Sequence, residues 1–469
     1  MTGITAFGAY IPLFRLSSET EGWKARGEKA VASFDEDSVT MSTAATMNCL
    51  HGFDRNLLDG LYFATTTAPY LEKQGAALIA EACDLPRSMV SSDFSNSLRS
   101  GTLALRSALD AVKAGSARSV AVTAADLRLP QPRSAHESVL GDGAASVVVG
   151  NEQVIAEIED ICTVSNEMLD TWRTSEDLFL RSADDRFVLD EGYFQVLPRA
   201  VKDLLTKNRL TPQDFSKAII SAPDARNHKK MTAKLGFDPD KQVQDPLFDK
   251  VGNTGASSAL LMLVAALEEA EPGDRLLFAC YGDGADAFLL KVTNQVHKVK
   301  EKRNVKDYLK SKAVLPDYLT YARWRSLIDI APPVRRPALD PPSPSALHRE
   351  REQNLRLYGV SCNNCGYHQY PPQRICTRCQ SRDNFTLIRF SDKQAKLFTY
   401  SLDYLGPTQD PPLVICFIDF EGGGRMQCMM TDRTISQVQI GMPLEMSFRR
   451  LYTAGGIHNY YWKCIPVRS

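Results

Sequence analysis

Over its first 330 residues the chain alternates short, wholly apolar runs with amphipathic stretches. SVAVTAADL (119–127), AASVVVG (144–150), KAIISAP (217–223) and RLLFACYG (275–282) are runs of strand length, the pattern expected of strands covered on both faces. RSGTLALRSALDAVKAG (99–115) carries its apolar residues at helical spacing and ends on glycine, which predicts a helix. Strands alternating with helices imply a layered α/β architecture.

The pattern breaks at 331–345, APPVRRPALDPPSPS, where six prolines fall in fifteen residues. Proline removes backbone donors and favours extended chain, so a semi-rigid linker is expected at 331–348, between domains at 1–330 and 349–469. After it come a short predicted helix (346–357), a cysteine cluster, and strands such as PLVICFIDF (412–420), which runs into Gly422, Gly423 and Gly424. That pattern predicts a small β-barrel. No repeat of 20–50 residues is visible.

Length and charge narrow the picture further. A chain of 469 residues implies two or three domains. A net charge of −1 argues against a nucleic-acid or membrane-surface protein, either of which needs a basic excess. No apolar run reaches the roughly 18 residues needed to span a bilayer, and the first residues lack a secretion signal, so the expected location is the cytoplasm. Of eleven cysteines, seven (Cys49, Cys83, Cys162, Cys280, Cys416, Cys428 and Cys464) are scattered among apolar neighbours as expected buried thiols. The other four, Cys362-x-x-Cys365 and Cys376-x-x-Cys379, form two knuckles ten residues apart. Four thiolates at that spacing suit one tetrahedral ion: zinc, with iron as the alternative. A closed four-thiolate site leaves no position for water and is structural.

Several motifs carry a resemblance. GDGAASVVVG (141–150), LDTWR (169–173), VGNTGASSALL (251–261), CYGDGADAFLL (280–290) and VKDYLKSKAVLPDYLTYARWR (305–325) occur in the order found in the HMG-CoA synthase branch of the thiolase superfamily, the fourth two residues shorter than in the family. The resemblance implies the thiolase-like five-layer αβαβα fold of two related halves. Residues 349–469 resemble the DUF35 family, which implies a rubredoxin-like zinc ribbon (358–383) followed by an OB-fold barrel (384–469). Proteins of that family hold the pantetheine arm of an intermediate shared between a thiolase and an HMG-CoA synthase.

The family's chemistry needs a cysteine nucleophile, a histidine and a general acid/base glutamate. The cysteine motif matches Ser97-Leu98-Arg99-Ser100-Gly101-Thr102 and puts Leu98 at the nucleophile position; a slip would bring in Ser97 or Ser100, never a cysteine. The histidine turn matches Ser221-Ala222-Pro223-Asp224 and gives Ser221. The glutamate motif matches Thr66-Thr67-Ala68-Pro69-Tyr70 and gives Thr66. Asn253 alone is retained, either as a turn residue or as a contact to a thioester carbonyl. His228, in the basic run RNHKK, reads as a solvated loop residue.

The resemblance therefore implies an accessory subunit with a degenerate triad at Thr66, Leu98 and Ser221. It would work beside a catalytic thiolase or ketosynthase, as a homo- or hetero-oligomer. Its ligand is a coenzyme A thioester, with the phosphates near Arg226, Lys229 and Lys230, and its metal is structural Zn2+. Two alternatives stay open. One is a thiolase-fold C–C lyase (aldolase), needing a base and an enolate-stabilising donor from Tyr70, Tyr193, His228 or Asn253, where the tyrosines also fit simple packing. The other is an acyltransferase acting through the hydroxyl of Ser97 or Ser221.

Overall fold

Each of the four apolar runs forms a strand, at Ser119–Asp126, Gly143–Gly150, Lys217–Ile220 and Arg275–Tyr281. In this computed structural model the described residues are 1–299, 302–328 and 339–468. The expected linker therefore lies outside the described residues as far as 338. They divide into two units: Met1–Ala32, Asp37–Ala80 and Leu85–Tyr321 form one, and Ser33–Glu36, Glu81–Asp84 and Ala322–Ser469 the other.

The first unit holds strands β1 (Gly3–Tyr10), β2 (Gly60–Ala64), β3 (Val90–Phe94), β4 (Ser119–Asp126), β5 (Gly143–Gly150), β6 (Ala156–Ser165), β7 (Lys217–Ile220), β8 (Arg275–Tyr281) and β9 (Gly284–Val292). Their order is β7-β8-β9-β6-β1-β5-β4-β2-β3. Two halves repeat one plan. In the first, β1 runs antiparallel to β5, β5 to β4, and β4 is parallel to β2, which is parallel to β3. In the second, β6 is antiparallel to β9, β9 to β8, and β8 is parallel to β7, while a bridge from Ala218 to Val243 stands where a fifth strand would. The halves meet over only two residue pairs, Gly3–Glu157 and Ile4–Ala156.

Helices α1 (Ser38–Cys49), α2 (Gly75–Ala82) and α3 (Ser100–Lys113) belong to the first half. Helices α4 (Phe194–Asn208), α5 (Ala225–Lys234) and α6 (Ser258–Leu267) belong to the second. Every residue of α6 is buried, as a helix that is apolar all round must be. It packs against strands of both halves and against α3, so these two helices form the central layer. The approach requires Gly101, where a Cβ would lie 2.8 Å from the carbonyl oxygen of Ala256. This is the layered thiolase-like fold that the motifs imply.

The second unit contains β10 (Tyr358–Cys362), β11 (His368–Gln369) and β12 (Phe385–Arg389) in a three-stranded sheet. Strands β13 (Ala395–Asp403), β14 (Leu413–Phe420), β15 (Arg425–Met430), β16 (Pro443–Ala454) and β17 (Ile457–Pro466) close a barrel in the order β13-β14-β15-β17-β16. Along β14 the buried residues Val414, Cys416, Ile418 and Phe420 alternate with more exposed ones, the period-2 pattern of a barrel wall. Gly422, Gly423 and Gly424 all take positive φ in the turn that follows. The helix expected at 346–357 is two short pieces, Pro344–Arg349 and Arg351–Asn354, broken at Glu350. No helix among the described residues is long and apolar enough to cross a membrane.

Candidate functional site

In the first unit a cavity of about 280 Å³ lies beyond the C-terminal ends of β4, β7 and β8, where the central helices begin. This is the usual ligand position in α/β sheets. Its apolar wall includes Val139, Leu140, Leu180, Val188 and Leu189. Leu98 lines it just before α3, and Ser221 and Asn253 line it from the other half.

The two polar ones are held by hydrogen bonds to the surrounding turns. The Ser221 hydroxyl accepts the Tyr281 amide at 2.9 Å, and the Ser221 carbonyl accepts the Tyr193 hydroxyl at 2.9 Å. The Asn253 amide donates to the carbonyls of Ala222 (3.2 Å) and Pro223 (3.3 Å), while its oxygen accepts the Gly255 amide at 3.0 Å. Asn253 thus acts as the turn residue that ties the Ser221 turn to α6. The Ser97 hydroxyl donates to the Gly282 carbonyl at 3.2 Å, and Ser97 is not among the residues lining the cavity.

Thr66 is also absent from the lining and is bound instead to Asp126. Its backbone N–H and hydroxyl donate to the two oxygens of Asp126 at 2.6 and 2.9 Å. Asp126 also accepts the hydroxyls of Thr65 and Thr67, and the Ala256 amide at the start of the central layer. A fully buried carboxylate is thereby satisfied by five donors.

The one thiol in the cavity wall is Cys280, at the end of β8, which no motif marked as functional. Its Sγ lies 3.9 Å from the Leu98 carbonyl oxygen, so two residues distant in sequence share one corner. Burial pushes this thiol up to about 12, far from the thiolate that acyl capture requires.

His228 corrects the expectation of a solvated loop residue. It sits on the inward face of α5 with Asn227, Met231 and Thr232, all buried, and its ring meets Phe248 with centroids 6.5 Å apart. Burial pushes it down to about 4, and it is not among the cavity-lining residues. Arg226, Lys229 and Lys230 occupy the exposed face of the same helix, whose first turn lines the cavity through Asp224 and Asn227. Tyr193 is buried and lines the cavity, whereas Tyr70 is half-buried and does not. Cys162, expected to be buried, is only partly so, because it sits on β6 where side chains of one face are half-covered.

In the second unit the sulfurs of Cys362, Cys365, Cys376 and Cys379 all lie within 4.8 Å of one another. Cys362–Cys379 and Cys365–Cys376 are each 3.6 Å apart. Four thiolates about 2.3 Å from zinc span tetrahedron edges of about 3.8 Å, so the donor set fits that ion. Gly366, at positive φ, turns the first knuckle, and its amide donates to the Cys362 carbonyl at 2.8 Å. The Asn364 amide, with the Ser381 backbone behind it, holds the Cys379 thiol down to about 6.

Comparison with known proteins supplies the relatives. Residues 205–291 match the family model for the C-terminal part of 3-oxoacyl-[acyl-carrier-protein (ACP)] synthase III. Residues 349–385 match the ChsH2 rubredoxin-like zinc ribbon domain, and 389–449 the ChsH2 C-terminal OB-fold domain. The hydroxymethylglutaryl-CoA synthase of Methanopyrus kandleri is 30% identical over 342 residues, covering 69% of this chain and 96% of the relative. That of Pyrococcus horikoshii is 31% identical over 339 residues, covering 69% and 95%. Among solved structures, MvaS in complex with 3-hydroxy-3-methylglutaryl coenzyme A superposes with a TM-score of 0.60 at 19% identity, covering 72% of this chain and 94% of that one.

Proposed function

The chain belongs to the hydroxymethylglutaryl-CoA synthase family, and from that premise we propose that it is a non-acylating subunit that binds a coenzyme A thioester beside a catalytic thiolase-fold partner. The observation that carries this is Leu98 in the cavity wall where the family places its nucleophile, with the only nearby thiol, Cys280, held protonated. Loss of one member of such a unit costs several orders of magnitude in rate, and Ser221 and Thr66 stand at the other two positions.

Supporting details come from each unit by itself. Relatives of the family are described in complex with 3-hydroxy-3-methylglutaryl coenzyme A or with an acetyl donor-ACP, so a thioester on a phosphopantetheine arm is the expected ligand. Arg226, Lys229 and Lys230 extend from the helix that begins at the cavity, where they can meet phosphates. The zinc ribbon supports the barrel, whose role is to hold the coenzyme A arm. Strand β3 has one partner, β2, and leaves its other edge open with Val90 61% exposed; such an edge suits a partner of the same fold.

The test is reconstitution of the full chain with a cysteine-bearing thiolase-fold protein from its source organism. A stable complex, and acyl transfer by the partner that depends on this chain, is the expected result. Condensation or cleavage of acyl-CoA by the purified chain alone would contradict it. The lyase is favoured by one observation: Asp170 lines the cavity with its carboxyl pushed up by burial, and Tyr281, which also lines it, has a hydroxyl with no hydrogen-bond partner among the described residues. Retro-aldol release from a 3-hydroxyacyl-CoA by the chain alone would select that second reading.

A further inference from the structure

Hydrocarbon makes up much of the cavity wall, from Leu98, Val139, Leu140, Leu180, Val188 and Leu189. Val188, Leu189 and Tyr193 reach it from the π turn Val188–Tyr193, whose hydrogen bonds span five residues, so Val188 and Tyr193 share one face. Leu98 adds apolar surface at the position matching the family's nucleophile.

The polar side chains of the same wall are largely bound to protein. The Ser221 hydroxyl accepts the Tyr281 amide, the Tyr193 hydroxyl donates to the Ser221 carbonyl, and the Asn253 amide donates to the Ala222 and Pro223 carbonyls. His136 Nε2 meets Ser182 Oγ at 3.1 Å, and Asp224 accepts the backbone and side-chain amides of Asn227. Charge disfavours an anionic ligand: Asp170, Asp185 and Asp224 line the cavity against one guanidinium, Arg128, which has Asp126 beside it. A group entering this space meets polar atoms that are mostly paired, an excess of carboxyl groups and a hydrocarbon wall.

Size sets the second limit. An apolar protein cavity of about 150 Å³ encloses a benzene ring, and this one measures about 280 Å³. By that scale it holds roughly eight to ten carbon atoms.

We propose that the cavity selects a coenzyme A thioester whose acyl group is an uncharged hydrocarbon of medium length, about eight carbons. This rests on the cavity being a thioester site. The pantetheine arm is the other candidate for the same space, and the experiment separates the two.

Calorimetric titration of the full chain uses free coenzyme A and its acetyl, butyryl, succinyl, hexanoyl, octanoyl and tetradecanoyl thioesters. Each methylene moved from water to an apolar wall favours binding about fourfold. Octanoyl-CoA should therefore bind at least about fiftyfold more tightly than acetyl-CoA, and tetradecanoyl-CoA should gain little beyond it. Succinyl-CoA should bind more weakly than butyryl-CoA, a chain of equal length with a methyl end. Leu180→Trp, which fills part of the cavity, should cut the octanoyl-to-acetyl ratio at least tenfold. Equal affinity for acetyl-CoA and octanoyl-CoA overturns the inference, gives the space to pantetheine and leaves the thioester site standing. An unbroken rise to tetradecanoyl-CoA, or succinyl-CoA binding more tightly than butyryl-CoA, overturns it too. Binding of none of the ligands overturns the inference and the thioester site together. The wild-type series stands even if the variant fails to fold.

Discussion

The Thr66 hydroxyl donates to the Asp126 carboxylate at 2.9 Å, so the position matching the family's general acid/base has become part of a hydrogen-bond shell. The same carboxylate reaches Ala256, fixing the start of the central layer to the end of β4. Asp126→Asn would turn an amide N–H2 toward donors that now find an acceptor. A buried donor left unpaired beside a lost charge-assisted bond costs about 2–4 kcal/mol. Urea unfolding should show that loss, and an unchanged midpoint would refute the structural role given to Asp126.

His228 gives stability a dependence on acid. Its folded value is about 4 against an ordinary 6.5, because burial disfavours the charged ring. Between those values the unfolded chain binds a proton that the folded chain refuses. The contribution is therefore complete above about pH 6.5 and fades as pH falls toward 4. From pH 7.5 to 4.5 the wild-type chain should lose about 2–3 kcal/mol more than His228→Phe. Parallel pH profiles for the two proteins would show that the ring is not buried as described.

One zinc ion per chain is expected by elemental analysis, held by Cys362, Cys365, Cys376 and Cys379. Binding of structural zinc supplies on the order of 10 kcal/mol of folding free energy. Cys365→Ser should lose the metal and open residues 349–389 to protease, while the first 299 residues stay resistant. Iron in place of zinc, or no metal, would contradict the assignment.

What the sequence disclosed followed from how local each signal was. The strands at Ser119–Asp126 and Arg275–Tyr281 were legible because every residue, or nearly every one, is covered on both faces, which leaves a continuous apolar run. The metal centre was legible because its four ligands lie within eighteen consecutive residues. His228 was misread because its neighbours in RNHKK are charged; the helical spacing of Asn227, His228, Met231 and Thr232 held the correction. Cys280 could not be placed in the cavity from sequence, since it joins the cavity from a strand end far along the chain from Leu98 and Ser221.

The central claim, that this cavity receives a thioester without being acylated, is tested most directly by intact-protein mass spectrometry after incubation with acetyl-CoA. The account predicts an unmodified chain, because Leu98 cannot attack and the Cys280 thiol is held near 12. A stable gain of about 42 Da, one acetyl group, mapped to Cys280, Ser221 or any other residue of the cavity would contradict it.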